Sequence, residues 1–386
     1  FLNAPNLHWP DTIFTYDLKT EILYTCDAFG MHYCSNSVFD EDLSKLDADF
    51  RFYYECLMAP NARSVLNALG RMDKLPSYHT IAVGHGPLLQ FNVEELVRRY
   101  REWSQKRASA ETLVAVFYSS DYGYSDRMSQ AIAHGITKKG GVAVEMMDMN
   151  VADPHEVTEL VSRASALIVG TYDQNNSQAE TAIGTILSAA QGEGKKRQRV
   201  GVFESYGGND EPSYPLQNRF LDLGLKEAFK VVRVEDVPTE ATYQTCEEAG
   251  TDLGQALTLK ETVKQMKSVD GDLDKAMGRL SGGLYIITAN KGDMSGAMLA
   301  SWVAQASFEP LGLSIAVAKD RAIESLMQVG DKFVLNVLEE GNYNHLMRHF
   351  LKRFAPGQDR FAGVETQQAS NGSPVLADSL AFLECE

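Results

Sequence analysis

Apolar positions along the chain fall into three successive patterns. Over residues 1–108, short apolar runs such as Glu21–Cys26 and Thr80–Val83 alternate with polar turns, which predicts short strands. This stretch closes with an amphipathic helix, Val93–Arg107, with Leu96, Val97, Tyr100 and Trp103 on one side and charged residues on the other. From 111 to 250 the apolar runs become continuous: Thr112–Tyr118, Val142–Met147, Ala166–Thr171, Val200–Glu204 and Lys230–Val234. Strands of a parallel sheet have this density because helices cover both faces. Helical patterns separate them at Ser125–Lys138, Pro154–Arg163, Gln178–Gln191 and Leu216–Ala228. Asp153-Pro154 marks one start, an N-cap followed by proline at the first helical position. Five strands alternating with helices predict an α/β, doubly wound parallel sheet.

Residues 251–271 read as a polar helical connector. From 272 to 386 a helix over Asp272–Arg279 precedes strands Gly283–Ala289, Ala297–Val303, Leu311–Ala318 and Lys332–Val337. Helical pieces lie at Ala322–Val329 and Asn344–Phe354, and Ser379–Glu386 reads as a strand. Such an order predicts a barrel-like α+β domain.

Composition narrows the class. At about 100–200 residues per domain, 386 residues imply two or three domains. Hydrophobic residues at 44% and charged ones at 23% exclude a disordered chain. A net charge of −16 disfavours nucleic acid as a partner, and no apolar run is long enough for membrane insertion. Cys26, Cys34, Cys56, Cys246 and Cys385 are odd in number without CxxC spacing, which points to reduced thiols and a cytoplasmic protein. The chain starts at Phe1 and stops inside a predicted strand, so a fragment is expected.

Candidate chemistry starts at the turn after the first strand of the α/β segment. Ser119, Ser120, Asp121, Tyr122, Gly123, Tyr124 and Ser125 lead into a helix. Hydroxyls and backbone N–H groups at the positive end of a helix suit a phosphate monoester, although an ordinary turn with a serine cap has the same composition. No Walker lysine and no GxGxxG is present, which disfavours a nucleoside triphosphate or dinucleotide here. Two more polar loops leave strands at the same predicted sheet edge: Thr171, Tyr172, Asp173, Gln174, Asn175 and Asn176, then Ser205, Tyr206, Gly207, Gly208, Asn209 and Asp210. In register, the three resemble the phosphate loop and the two isoalloxazine loops of flavodoxins. The resemblance implies a flavodoxin-like five-strand sheet and bound FMN.

Asp27 and His85 follow predicted strands in glycine-flanked turns. A carboxylate and an imidazole can share an iron or zinc ion, and they can equally be a turn cap and a tight-turn histidine. The segments Leu7–Tyr16, Cys26–Tyr33 and Gly84–Pro87 are similar to the C-terminal part of the metallo-β-lactamase-like domain of flavodiiron proteins. That resemblance implies a bridging carboxylate at Asp27 and a terminal imidazole ligand at His85. His8, His32 and His79 receive no ligand role. It also implies that the remaining ligands of the diiron centre lie upstream of Phe1, so this chain alone is expected to hold iron weakly or not at all.

In the third segment, Ala300, Ser301 and Ser307 are small and permit close approach to a ligand, and Lys319 and Arg321 can neutralise a phosphate. A small-residue strand with solvated cations fits the same spacing. The ordered set resembles the split-barrel flavin reductases fused to flavodiiron proteins in oxygenic phototrophs. By that resemblance Met298, Ala300 and Ser301 line a second flavin (FMN or FAD), and Ser307, Lys319 and Arg321 hold its phosphate. Asn336 is a weaker candidate. The barrel is expected to be incomplete at Glu386.

The expectation is therefore three segments: 1–108 from a metallo-β-lactamase-like domain, 111–250 flavodoxin-like, and 272–386 an incomplete split β-barrel. The resemblance implies electron transfer from NAD(P)H through FMN to a diiron centre that reduces O2 to water. The alternatives are nitric oxide reduction by the same relay, or a flavin-binding electron carrier without terminal reductase activity. It also implies a homodimer or related-subunit heterodimer, in the cytoplasm or a chloroplast stroma.

Overall fold

The structure is a computed structural model. It describes residues 1–8, 11–34, 36–109, 112–119, 124–138, 140–170, 177–191, 198–206, 216–235, 237–268, 282–319, 321–341 and 343–386, with the backbone alone at 205–206 and 259–268. The chain divides into two compact units, Phe1–Val237 and Pro238–Glu386. Among the described residues no helix is long and apolar enough to cross a membrane.

The first unit opens with β1 (Leu2–Asn3), β2 (Ile13–Asp17) and β3 (Ile22–Cys26). Helices α1 (Leu43–Tyr53) and α2 (Ala62–Met72) follow, then β4 (Thr80–Val83) and α3 (Val93–Ala108). The strands form one sheet in sequence order, antiparallel except for the parallel β3–β4 pair. Residues 43–72 are helical where the sequence pattern predicts only short strands and turns. Leu46, Phe50 and Tyr53 on α1, and Val65, Ala68, Leu69 and Met72 on α2, are buried at helical spacing. The Asp42 carboxylate caps α1 by accepting from the Ser44 amide at 3.1 Å. Buried Asp40 accepts from the amides of Gln90, Phe91 and Asn92 at 2.6–2.9 Å and so fixes the entry to α3.

Seven residues of β5 (Thr112–Tyr118) lead into α4 (Tyr124–Thr137), β6 (Val142–Asp148) and α5 (Pro154–Arg163). Then come β7 (Ala166–Gly170), α6 (Ser177–Ala189), β8 (Arg199–Tyr206), α7 (Leu216–Asp222), β9 (Lys226–Glu227) and β10 (Val232–Glu235). The strand order β10-β8-β7-β5-β6, all parallel, is the doubly wound flavodoxin-like arrangement. One helix is shorter than predicted. Helix α7 stops at Asp222, and the chain returns as the two-residue β9 beside the start of β8.

The second unit starts with α8 (Glu240–Ser268), one helix running through the predicted boundary at 250 and most of the connector. Strands β11 (Tyr285–Lys291), β12 (Met294–Ala300), β13 (Val303–Phe308), β14 (Leu311–Ile315) and β15 (Phe333–Val337) follow. Helix α9 (Asn344–Leu351), the hairpin β16 (Thr366–Gln368)–β17 (Pro374–Leu376) and β18 (Ala381–Cys385) complete it. The main sheet is antiparallel, in the order β12-β11-β15-β18. The predicted strand Ala297–Val303 is split, because the chain leaves the sheet at exposed Ser301 and Trp302 and re-pairs as β13 with β14. Only one 3-10 turn, Ala322–Leu326, forms where a longer helix is predicted. The predicted helix Asp272–Arg279 lies outside the described residues.

Alternation along β11 builds two apolar layers: Ile287 and Ala289 pack with Ile323 and Leu326, whereas Ile286 packs with Leu346, Phe350 and Leu376. Fully buried Asn336 pins this sheet to β17. Its amide donates to Ile286 O (3.1 Å) and Thr288 Oγ1 (3.0 Å), and its carbonyl oxygen accepts from Leu376 N (2.9 Å). All its polar atoms are thereby committed to the scaffold, not to a ligand. Replacing Asn336→Leu strands these partners in a dry interior and is expected to cost about 2–3 kcal/mol, read by urea unfolding of the second unit.

Candidate functional site

Parallel registry brings the carboxyl ends of the first unit's central strands to one edge. Tyr118 pairs with Asp148, Gly170 with Phe203 and Ser205 with Val234. Ser119 is buried, and its hydroxyl donates to Asn150 Oδ1 at 2.8 Å, which ties the first turn to the exit of β6. Ser125 occupies the first turn of α4. A Cβ on Gly170 would lie 3.1 Å from Ser125 Oγ and 2.6 Å from Phe203 Cζ, so glycine lets β7 end against both. Ser125 and the exit toward Thr171 therefore meet at one point. Ser120, Asp121, Tyr122, Gly123, Thr171, Tyr172, Asp173, Gln174, Asn175, Asn176, Gly207, Gly208, Asn209 and Asp210 lie outside the described residues.

Two buried carboxylates stand at this edge that the sequence reading does not single out. Asp126, in the first turn of α4, is 3% exposed and takes Gln130 Nε2 at 3.3 Å on both oxygens. Burial, then the negative charge of Asp148, pushes its carboxyl up to about 6. Glu204, two residues before the end of β8, is also 3% exposed and accepts from Arg233 Nε at 2.6 Å.

The second candidate site is built on the turn after β3. Phe29 N donates to Tyr100 Oη at 2.9 Å, and Gly30 N to Asp27 O at 3.0 Å, so helix α3 holds the turn in place. Met31 N donates to His85 O at 3.0 Å and joins this turn to the one after β4. Gly86 has φ +92°, and a Cβ there would lie 2.7 Å from Met31 Cγ, which requires the glycine after His85. Asp27 Oδ1 and His85 Nε2 thus come within 3.4 Å, with the His32 ring 5.5 Å from that of His85. His8 lies in the field of the same carboxylate: burial lowers its proton affinity and Asp27 raises it. A converging carboxylate and imidazole fit iron in kind. Among the described residues, no group of three or more His, Cys, Asp or Glu is arranged to hold a metal.

In the second unit, Met298 and Ala300 lie on β12 opposite Ile287 and Tyr285, and Ser301 is exposed just beyond. Val303 pairs with Ile315, and Ala316 N donates to Trp302 O at 3.1 Å. Exposed Lys319 and Arg321 therefore leave the β13–β14 hairpin at the Ser301 end. Ser307 sits at its other end, with its hydroxyl donating to Pro310 O at 2.6 Å. The hairpin does not bring Ser307 to the two cations.

Comparison with known proteins agrees with this architecture. Residues 116–250 match the flavodoxin family model, and residues 277–386 match the flavin reductase like domain. The whole chain is 63% identical to diflavin flavoprotein A 1 of Synechocystis sp., and 63% identical to putative diflavin flavoprotein A 3 of Nostoc sp.. It is a member of the diflavin flavoprotein A family of flavodiiron proteins. It spans about two thirds of the length of those relatives, 67% in each case. A solved structure, the metal-soaked Flv1 flavodiiron core from Synechocystis sp., is similar over 67% of this chain and 63% of its own, with 37% identity and a TM-score of 0.62. The chain accordingly belongs to an oxidoreductase family, and its flavodoxin and flavin reductase domains serve flavin-mediated electron transfer.

Asp126 gives the first unit a pH signature. Its carboxyl binds a proton more tightly folded than unfolded, so its contribution to stability is complete below about pH 4 and is lost as the pH rises through about 6. Asp126→Asn is expected to remove that dependence and to stabilise the unit by up to about 3 kcal/mol at pH 7.5, read from paired urea unfolding curves between pH 4.5 and 8.

Proposed function

We propose that the chain is the electron-relay portion of a flavodiiron NAD(P)H:oxygen oxidoreductase. It comprises a diiron-domain segment (1–108), an FMN-binding flavodoxin segment (111–250), a connector (251–271) and a flavin reductase segment (272–386). The observation that carries this reading is the shared exit of Ser119, Gly170 and Glu204 at one sheet edge, the ligand position of a doubly wound fold. FMN, when bound, joins a two-electron donor to one-electron acceptors, which the protein's own side chains cannot do.

Each segment's residues have a distinct task. Ser125 offers its hydroxyl, and the start of α4 its helix N-terminus, to the phosphate, while Ser119, whose hydroxyl is donated to Asn150, anchors the exit of β5. Gly170 keeps the edge beside Ser125 clear of a side chain. Asp27 and His85 supply oxygen and nitrogen donors for iron. Met298, Ala300 and Ser301 line the second flavin, with Lys319 and Arg321 placed for its phosphate. Tyr100 fixes the backbone of the Asp27 turn, and the Met31–His85 backbone bond ties the His85 turn to it. A dimer, with O2 as acceptor, completes the reading.

The test is the visible spectrum of the purified chain. Flavin absorption that bleaches anaerobically with NADH or NADPH and returns on admitting O2 is the expected result. Absence of flavin bands after reconstitution with FMN overturns the proposal. Titrated with ferrous iron, the chain is expected to bind it weakly at most, and Asp27→Ala and His85→Ala are expected to abolish that residual binding and leave FMN content unchanged, as measured by metal analysis and flavin extraction.

A further inference from the structure

Glu204 is an anomaly at the flavin edge. Its side chain is 3% exposed, Oε2 is held by Arg233 Nε at 2.6 Å, and buried Oε1 has no hydrogen-bond partner. Among the described residues it is the one carboxylate with a buried, unpartnered oxygen. Buried polar atoms are nearly always paired, and an anionic oxygen loses most when it is not. Glu204 lies opposite Arg233 in the β8–β10 pair, two residues from the carboxyl end of β8, where a doubly wound sheet receives its ligand. Arg233 is 44% exposed, so the pair has a wet side at the guanidinium and a dry side at Oε1.

Charge and hydrogen-bond type define the group that Oε1 can take. An ionised carboxylate only accepts, so its partner must present an N–H or O–H. Oxidised FMN presents such donors in its ring imide and its ribityl hydroxyls. We infer that Glu204 is a flavin-positioning residue: Oε1 accepts a hydrogen bond from an N–H or O–H of the FMN carried at this edge, and Arg233 fixes the carboxylate so that this oxygen faces it. The inference rests on the FMN reading of the flavodoxin segment and adds to it a side chain that sets both fit and potential. A fixed negative charge beside the ring opposes the arrival of electrons, and the exposed guanidinium offsets it in part.

The full chain reconstituted with FMN tests this, with affinity read by flavin fluorescence and midpoint potential by dye-equilibrated titration. In Glu204→Gln the amide must turn its oxygen to Arg233 and offer –NH2 to a ligand donor. FMN binding is then expected to weaken about tenfold, since a hydrogen bond to a charged acceptor is lost. The midpoint potential rises with loss of the negative charge. Arg233→Gln removes the positive partner and is expected to move the potential the opposite way. A purely structural ion pair would change unfolding of the flavin-free chain and leave both readings at wild-type values. That outcome overturns the inference and spares the proposed function. If the unaltered chain binds no FMN, both fall. If Glu204→Gln does not fold, the sign of the Arg233→Gln shift decides alone: a fall in potential supports the role, and no shift overturns it.

Discussion

Everything in the parallel-sheet part of the first unit follows from burying β5, β7 and β8 on both faces. Leu113, Ala115, Phe117, Leu167, Val169, Val200 and Val202 belong to one apolar layer, while Val114, Val116 and Ile168 are buried on the opposite side of the same strands. A strand so covered has no room for polar side chains along its length, so polar chemistry is displaced to its ends. Parallel pairing then makes those ends coincide. Ser119, Gly170 and Glu204 end at one edge because hydrophobic burial leaves that edge for them, and Ser125 lies against Gly170.

Legibility in the sequence tracks how local the deciding force is. Strands Thr112–Tyr118 and Thr80–Val83 and helix Pro154–Arg163 lie where their patterns place them, since a continuous apolar run or an Asp-Pro cap decides within the segment. Helix α1 is missed because Leu46, Phe50 and Tyr53 are separated by Asp47, Asp49 and Arg51, which read as turns. Helix α7 is overextended because Leu223 and Leu225 continue its apolar pattern, yet Gly224 adopts φ +88° and turns the chain into β9. The split after Ala300 depends on pairing between β13 and β14, which is tertiary information.

The same division holds for the site. Asp27 and His85 are legible from glycine-flanked turns, and the structure brings them within 3.4 Å. Asp126 and Glu204 are not, because an acidic residue in a helix or strand ordinarily faces water, and only the fold buries these two. Asp126 adds negative charge beside the turn that is to hold an anionic phosphate, and Glu204 adds more along the same edge. Attraction must therefore come from backbone amides and hydroxyls, not from net charge, which is −16 for the chain.

The long helix α8 has a consequence for how the chain can be divided. Glu248, 8% exposed, bonds Arg360 Nη2 at 2.7 Å and the Gly357 amide at 3.1 Å, and Asp252 pairs with Arg353. Severing the chain near 250, where the flavodoxin match ends, would separate a buried guanidinium from its counter-ion and leave an uncompensated charge in the C-terminal piece. A cut at Val237 keeps every one of these bonds within one polypeptide. For anyone isolating the reductase portion, the natural seam precedes the helix by a few residues and lies well upstream of the domain it serves.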